Sequence, residues 1–478
     1  MKTVSFEYGE GMMEAQLPDS AEVFVPGETV PDPPCAADPI AITREAILHP
    51  IGMPPIAQLV QKGSTVTISF PDRVKGGAHE TSHRKVSIPI LIDECLKAGV
   101  EKKDIRLICS NGLHRKNTEQ EIRTLLGDVI YDAFSPTGQI VNHDSEDWEH
   151  LIDLGRDAMS NRVIMNKDVF DSDLPILIGH VLGNPYGGYS GGYKMAATGI
   201  THWESIACHH NPAVMHKRDF TPVAPRSEMR DRFQAIGRHM EEKMGRKFFM
   251  VDAVLDTQMR QIAVFAGYGA EIEPLSWEVA NTRTYVPWAS EKFDIMMFGM
   301  PQNFHYGNGH GTNPILILQA IAANIIRHKR VLKDNVVIIC SSLCNGFFHD
   351  EEFTGYRELY ERFQHGAHQT LADCAPYGEE WARNQAFIDQ YRFHFGYHPF
   401  HAFSMIACGH IAEMHASAIY LVGAQEPGYA RSMGMKTRAT FAEALKDAER
   451  YTGANPRILA LPRCFKTAAV HLMMKGKA

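Results

Sequence analysis

From residue 65 onward, short apolar runs rich in β-branched residues alternate with stretches whose apolar positions recur at helical spacing. Thr65-Val66-Thr67-Ile68-Ser69-Phe70 predicts a strand that ends at Pro71-Asp72-Arg73. Ile88, Leu91, Ile92, Cys95 and Leu96 predict a helix over about 88–98, with Pro89 in its first turn and Gly99 stopping it. Ile105–Cys109 predicts the next strand, and Thr118 with Glu121 forms a capping box opening a helix to about Leu126. Strands at 174–178 and 248–254 follow, with a helix over 228–244 between them. Near residue 290 the pattern restarts. Strands are predicted at 293–298, 336–340, 418–422 and 457–461, and helices at 314–328, around Glu358 and Glu380, and at 440–451. Upstream, 56–61 reads as a short helix and Pro31–Pro39 as an extended arm. Strands alternating with helices imply mostly parallel sheets. The expected fold is therefore α/β, with two domains, 1–280 and 281–478, and the active site in the cleft between them.

Composition narrows the function classes. Lys+Arg number 48 against 56 Asp+Glu, a formal charge of −8, which is not the basic signature of a nucleic-acid binder. The 478 residues exceed what one hydrophobic core organises. No apolar run approaches the roughly 18 residues of a membrane span, and Met1 to Glu10 carries Glu7 and Glu10 where a signal peptide has its apolar core. The nine cysteines contain no Cys-x-x-Cys pair, so buried structural thiols in a reducing cytoplasm are expected. The 24 histidines, as many as the phenylalanines, direct attention to where polar residues collect.

In open α/β sheets ligands sit beyond the carboxyl ends of the strands, and there this chain places its unusual residues. The first strand delivers Asp72, Arg73 and Lys75 before Gly76-Gly77; the second delivers Asn111-Gly112-Leu113-His114-Arg115. The third runs into Gly179–Lys194, a stretch with six glycines that contains His180 and Asn184 and ends Ser190-Gly191-Gly192-Tyr193-Lys194. Such glycines let backbone N–H groups approach an anion closely. The order is neither that of a Walker loop nor the dinucleotide Gly-x-Gly-x-x-Gly. His202, His209 and His210 follow without the His-Glu-x-x-His zinc spacing.

The Gly-x-Ser-Gly-Gly-x-Lys run at Gly188–Lys194 resembles the nickel-dependent lactate racemase family. Asp72-Arg73-x-Lys75, Asn111–Arg115, Asn142-His143-Asp144, His209-His210-Asn211-Pro212 and Thr440–Leu445 agree with it in order and spacing. The resemblance implies a nickel-pincer nucleotide joined to Lys194 through a thioamide, nickel held by His210, and maturation enzymes as partners. It implies cofactor contacts from Asp72, Lys75, Ser190, Gly191 and Gly192, and from Tyr306 and His310 of the second domain. It further implies that a hydride moves reversibly between the cofactor and the carbinol carbon of a small 2-hydroxy acid. His114 matches a histidine that takes the hydroxyl proton, and Arg73 a position that binds the substrate carboxylate.

Two positions depart from the family. Its second catalytic histidine falls on Asn184, whose amide cannot accept a proton, leaving His180, Tyr186, His310 or water as candidate second bases. Its substrate-side lysine falls on His310, in the small, polar loop Phe304–Gly311. A larger or more hydroxylated acid than lactate is therefore expected. Three other readings stay open: a hydride-transfer enzyme with the same cofactor that is not a racemase, a metal-dependent hydrolase, and a non-enzymatic anion-binding or cofactor-carrier protein.

Overall fold

A computed structural model describes residues 1–184, 186–215, 227–365, 373 and 376–476. The fold is α/β, built on two mostly parallel sheets. The first has the order Gln261–Tyr268, Phe249–Leu255, Leu174–Val181, Val66–Pro71, Ile105–Ser110, Ile140–Asn142. Only Gln261–Tyr268, at one edge, runs antiparallel to its neighbour. Val66–Pro71 and Leu174–Val181 are buried throughout, as parallel strands covered on both faces require, and so read as continuous apolar runs.

The second sheet orders Lys436–Arg438, Ala416–Val422, Leu332–Ser341 and Phe293–Pro301. Beyond Phe293–Pro301, two strands share its free edge: Ile458–Leu461 and the N-terminal Lys2–Gly9, onto which Gly11–Leu17 folds back. Along the chain the first sheet ends at Tyr268 and the second continues at Phe293, while Lys2–Gly9 and Glu22–Val23 at the N-terminus pair with the C-terminal sheet.

Two element differences have physical causes. The helix expected from residue 88 spans His83–Lys97, with Pro89 in its interior. Its first turn carries no apolar stripe because it is anchored by polar groups: Arg84 donates to the carbonyls of Pro71, Asp72 and Gly77, and His83 Nε2 meets Val251 O. The helix Pro399–His415 was not expected at all. It is buried from Pro399 to Gly409 and packs on Pro314–His328, so it lacks the polar face that gives a helix its 3.6-residue signal. One apolar cluster runs from Ile108 and Tyr193 to Ile315 and Met405, joining the halves.

Of the described cysteines, Cys35 and Cys208 are half-buried rather than buried, the other six are buried, and all are unpaired. Cys374 lies outside the described residues. No described helix is long and apolar enough to cross a membrane.

Candidate active site

Strands Val66–Pro71 and Ile105–Ser110 are in register to their last residues, Pro71 opposite Ser110. Leu174–Val181 flanks them on the other side. Their carboxyl ends open into a cavity of about 250 Å³ between the halves. The first sheet lines it with Asp72, Lys75, His114, His180 and Lys194, and the C-terminal half with His305, Tyr306, His310, Arg327 and His401.

His114 Nδ1 lies 2.6 Å from Asp72 Oδ2, and Val74 N–H donates to Asp72 Oδ1 at 3.1 Å. Burial raises the Asp72 carboxyl, but His114 and then Arg73 outweigh it and hold it below the ordinary range. An ionised Asp72 fixes His114 with Nδ1–H toward the carboxylate and Nε2 available as acceptor. Tyr306, Tyr397 and His401 pack edge-on around the imidazole at 5.5–5.7 Å.

Lys75 and Lys194 meet on the same wall. Burial is the largest cause pulling both ammonium groups below their ordinary range, strongly so for Lys194, which also feels Lys75 and Arg230. Fifteen residues on, His209 Nε2–H donates to Ala197 O at 3.2 Å, which leaves His209 Nδ1 an acceptor. His210 Nδ1 lies 2.5 Å from it and so carries the proton, and the unprotonated Nε2 of His210 is the ligand-competent nitrogen.

These features fit a lysine-tethered nickel nucleotide. A thioamide at Lys194 would relieve one of two adjacent buried amines, and the His210 imidazole with its fixed lone pair would suit nickel as a donor. Among the described residues no group of three or more His, Cys, Asp or Glu side chains is arranged to hold a metal ion by itself.

The glycine-rich loop serves this arrangement differently from the expected anion cradle. Ser190 and Gly191 line the cavity, with Ser190 Oγ donating to His180 O at 2.7 Å. Gly192 N–H instead donates to buried Asp252 at 2.8 Å, and Tyr193 N–H to Glu273 at 2.9 Å. Those two donors are engaged by the protein itself and orient the segment that carries Lys194. Burial, then Glu273, pushes the Asp252 carboxyl up to about 7.

The remaining expected residues divide. Arg73 stands beside the site rather than on its lining. It donates to Tyr306 O at 3.0 Å and lies 3.4 Å from Glu121, clamping one half to the other. Asn184 Oδ1 accepts from Tyr186 N and Gly187 N at 2.9 and 3.0 Å, a turn-capping role. His180 is buried with neither ring nitrogen partnered, pressed so closely on Gly76 that a Cβ there would lie 2.0 Å from its ring. His310 stacks on Phe304 at 3.9 Å and on Tyr306 at 5.1 Å; burial pushes it down to about 3, so it is neutral.

Sequence reading missed three lining residues. His305 has a left-handed φ of 38° and is accessible. It follows a strand end, the signal that found the other sites. His401 accepts from or donates to Tyr356 OH at 2.6 Å, with Nε2 buried and unpartnered; it sits on the unpredicted helix. Arg327 reads in sequence as an ordinary basic residue of a last helical turn.

Residues 8–221 match the family described as lactate racemase N-terminal domain. A lactate racemase of Lactiplantibacillus plantarum is 24% identical over 226 residues, 47% of this chain and 50% of that protein. The chain thus spans about half the length of the curated relative it matches. Among solved structures, the lactate racemase apoprotein of Thermoanaerobacterium thermosaccharolyticum has a TM-score of 0.70 at 18% identity, covering 98% of this chain and 100% of that one. A Thermotoga maritima protein has a TM-score of 0.54 at 12% identity, covering 91% and 98%. At such identities the structural likenesses describe the fold.

Proposed function

As a chain that belongs to the lactate racemase family through residues 8–221, the protein is, we propose, a racemase or epimerase of a 2-hydroxy acid larger or more hydroxylated than lactate. In this reading it carries a nickel-pincer nucleotide on Lys194, installed by maturation enzymes. The N-terminal half, to about residue 280, holds the tether and His210, and the C-terminal half closes the substrate cleft. When bound, the cofactor supplies a reversible hydride acceptor beside its metal.

The observation that carries the reading is the convergence of Lys194, paired with Lys75, and of His210 and His114 on one cavity. His114, oriented by Asp72, takes the substrate hydroxyl proton at Nε2 and returns it. Asn184, capping its turn, is not a proton carrier. For the second proton-transfer group we assign His305, which lines the cavity and keeps an exposed face although burial, then His310, holds its imidazole neutral, ahead of His180, Tyr186 and His310. Phe304, Met405 and Phe465 on the C-terminal wall support an acid with more than a methyl side chain.

The test is protein made with the maturation enzymes and offered enantiopure 2-hydroxy acids deuterated at C2. Inversion with the label kept on C2, together with added mass and nickel on the Lys194 peptide, is expected. Label exchange with solvent, or an unmodified Lys194 under those conditions, overturns the reading.

A further inference from the structure

The chain buries several arginines, and three of them have close acceptors within the protein. Arg84 donates to three carbonyls. Arg230 faces Glu273 at 3.6 Å and the carbonyls of Gly187 and Tyr189. Arg283 faces Asp32 at 3.8 Å and Ala469 O at 2.7 Å.

Arg327 is different. It lines the cavity, its Nε is buried without a partner, and its Nη1 reaches only Asn324 Oδ1, at 3.5 Å. No carboxylate pairs with it among the described residues. Arg327 is half-buried overall; a guanidinium keeps its charge in any folded protein, and a charge held partly out of water without a counter-charge is destabilising. A ligand anion at this point would supply the missing counter-charge.

The surroundings define which anion. Arg327, Ala323 and Gln319 follow at i, i−4 and i−8 along one face of the helix Pro314–His328, with Ala320 beside them, and all four line the cavity. The two alanines leave room above the helix, with Arg327 and Gln319 about 12 Å apart along it. The other basic side chains on the lining, Lys75 and Lys194, lie on the N-terminal wall, and His310 is neutral. On the C-terminal wall the planar fork of Arg327 is the group that matches a carboxylate with two parallel N–H donors.

We infer that Arg327 anchors a carboxylate of the substrate, in a subsite floored by Ala320 and Ala323. This rests on the hydroxy-acid reading above for the identity of the ligand. It selects acids over the corresponding alcohols and amides, because an uncharged ligand leaves the guanidinium on the cavity wall without a counter-charge.

The test uses the full chain without nickel or cofactor, so its outcome is independent of racemisation. Calorimetry compares 2-hydroxybutanoate, 2-hydroxyglutarate and 1,2-butanediol on the wild type, Arg327→Lys and Arg327→Gln. Both acids are expected to bind the wild type and the diol to fail. Arg327→Gln should bind acid about 10- to 100-fold more weakly, with Arg327→Lys intermediate. A loss shared by both acids identifies the carboxylate next to the carbinol carbon; a loss confined to 2-hydroxyglutarate identifies the distal one.

Equal affinity in a folded Arg327→Gln protein overturns the inference, as does failure of both acids to bind the wild type. Should the variants not fold, the Arg327 Nε–H resonance of 15N-arginine-labelled wild type decides. A shift on acid titration supports the anchor, and no shift at saturating acid overturns it.

Discussion

Replacing Asp252 with Asn should make the protein more stable in alkaline solution and flatten its stability against pH. The Asp252 side chain is buried between Gly179 and Gly191, accepts from Gly192 N–H at 2.8 Å, and has Glu273 nearby. Burial, then Glu273, pushes its carboxyl from the ordinary 3.8 up to about 7. The folded-state value is raised, so the stabilisation is complete below about pH 4 and is lost as pH rises to about 7. The loss is about 1.4 kcal/mol per pH unit, or about 4 kcal/mol in all. Above that range the term is constant.

Asn keeps an acceptor for Gly192 N–H but not a charged one, which returns about 1–2 kcal/mol of the gain. Asp252→Asn should therefore be more stable than the wild type by about 2 kcal/mol at pH 8. Glu241, which burial also pushes up to about 7, slopes the same way in both proteins and cancels in the comparison. Urea midpoints at pH 4.5, 6 and 8, followed by tryptophan fluorescence, provide the measurement. Parallel curves for the two proteins, or a variant less stable than the wild type at pH 8, would refute the reasoning.

His114→Ala should lower kcat by about 10²–10⁴-fold, measured as initial rates of enantiomer inversion; a folded variant with near-normal rates removes His114 from proton transfer. His209→Ala frees the tautomer of His210 and should weaken nickel retention by about 10- to 100-fold; His209→Gln, which can still accept from His210 Nδ1–H, should recover part of it, as read by metal analysis after dialysis. Gly76→Ala should cost about 2 kcal/mol or more, because φ is 82° and the new Cβ would lie 2.0 Å from the His180 ring. Gly245→Ala is the control, with φ of 67° and no atom within 4 Å of the new Cβ; equal melting points for the two variants would show that the His180 contact is unimportant.

The parts of the fold legible in the sequence were those whose burial follows a simple period. The helix Glu228–Met244 and the capping box at Thr118 have one apolar face and local signals, so their residues announce them. The helix Pro399–His415 is enclosed from Pro399 to Gly409 and was silent, and His401 went with it. Strand ends pointed to Asp72, His114 and Lys194, since topology alone gathers them.

What the sequence could not convey was how each polar group is engaged. Arg73 adjoins the site yet faces Tyr306 O and Glu121, and Gly192 belongs to the glycine loop yet donates to Asp252, 60 residues away. Those pairings join segments distant along the chain, and no local pattern encodes them. Arg327 is the converse, a residue made notable only by the absence of an acidic neighbour among the described residues.

The pairing of Lys2–Gly9 with Phe293–Pro301 also sets an order of events on the ribosome. The first strand emerges nearly 300 residues before its partner. At about 5–20 residues per second that is a wait on the order of 15 to 60 seconds. The sheet of Val66–Pro71 and Leu174–Val181 can assemble in that interval, while the hairpin Lys2–Leu17 trails from it with an open edge. A nascent chain stalled before residue 293 should therefore expose its N-terminus to protease although the following half is already compact, and release past residue 301 should close that window.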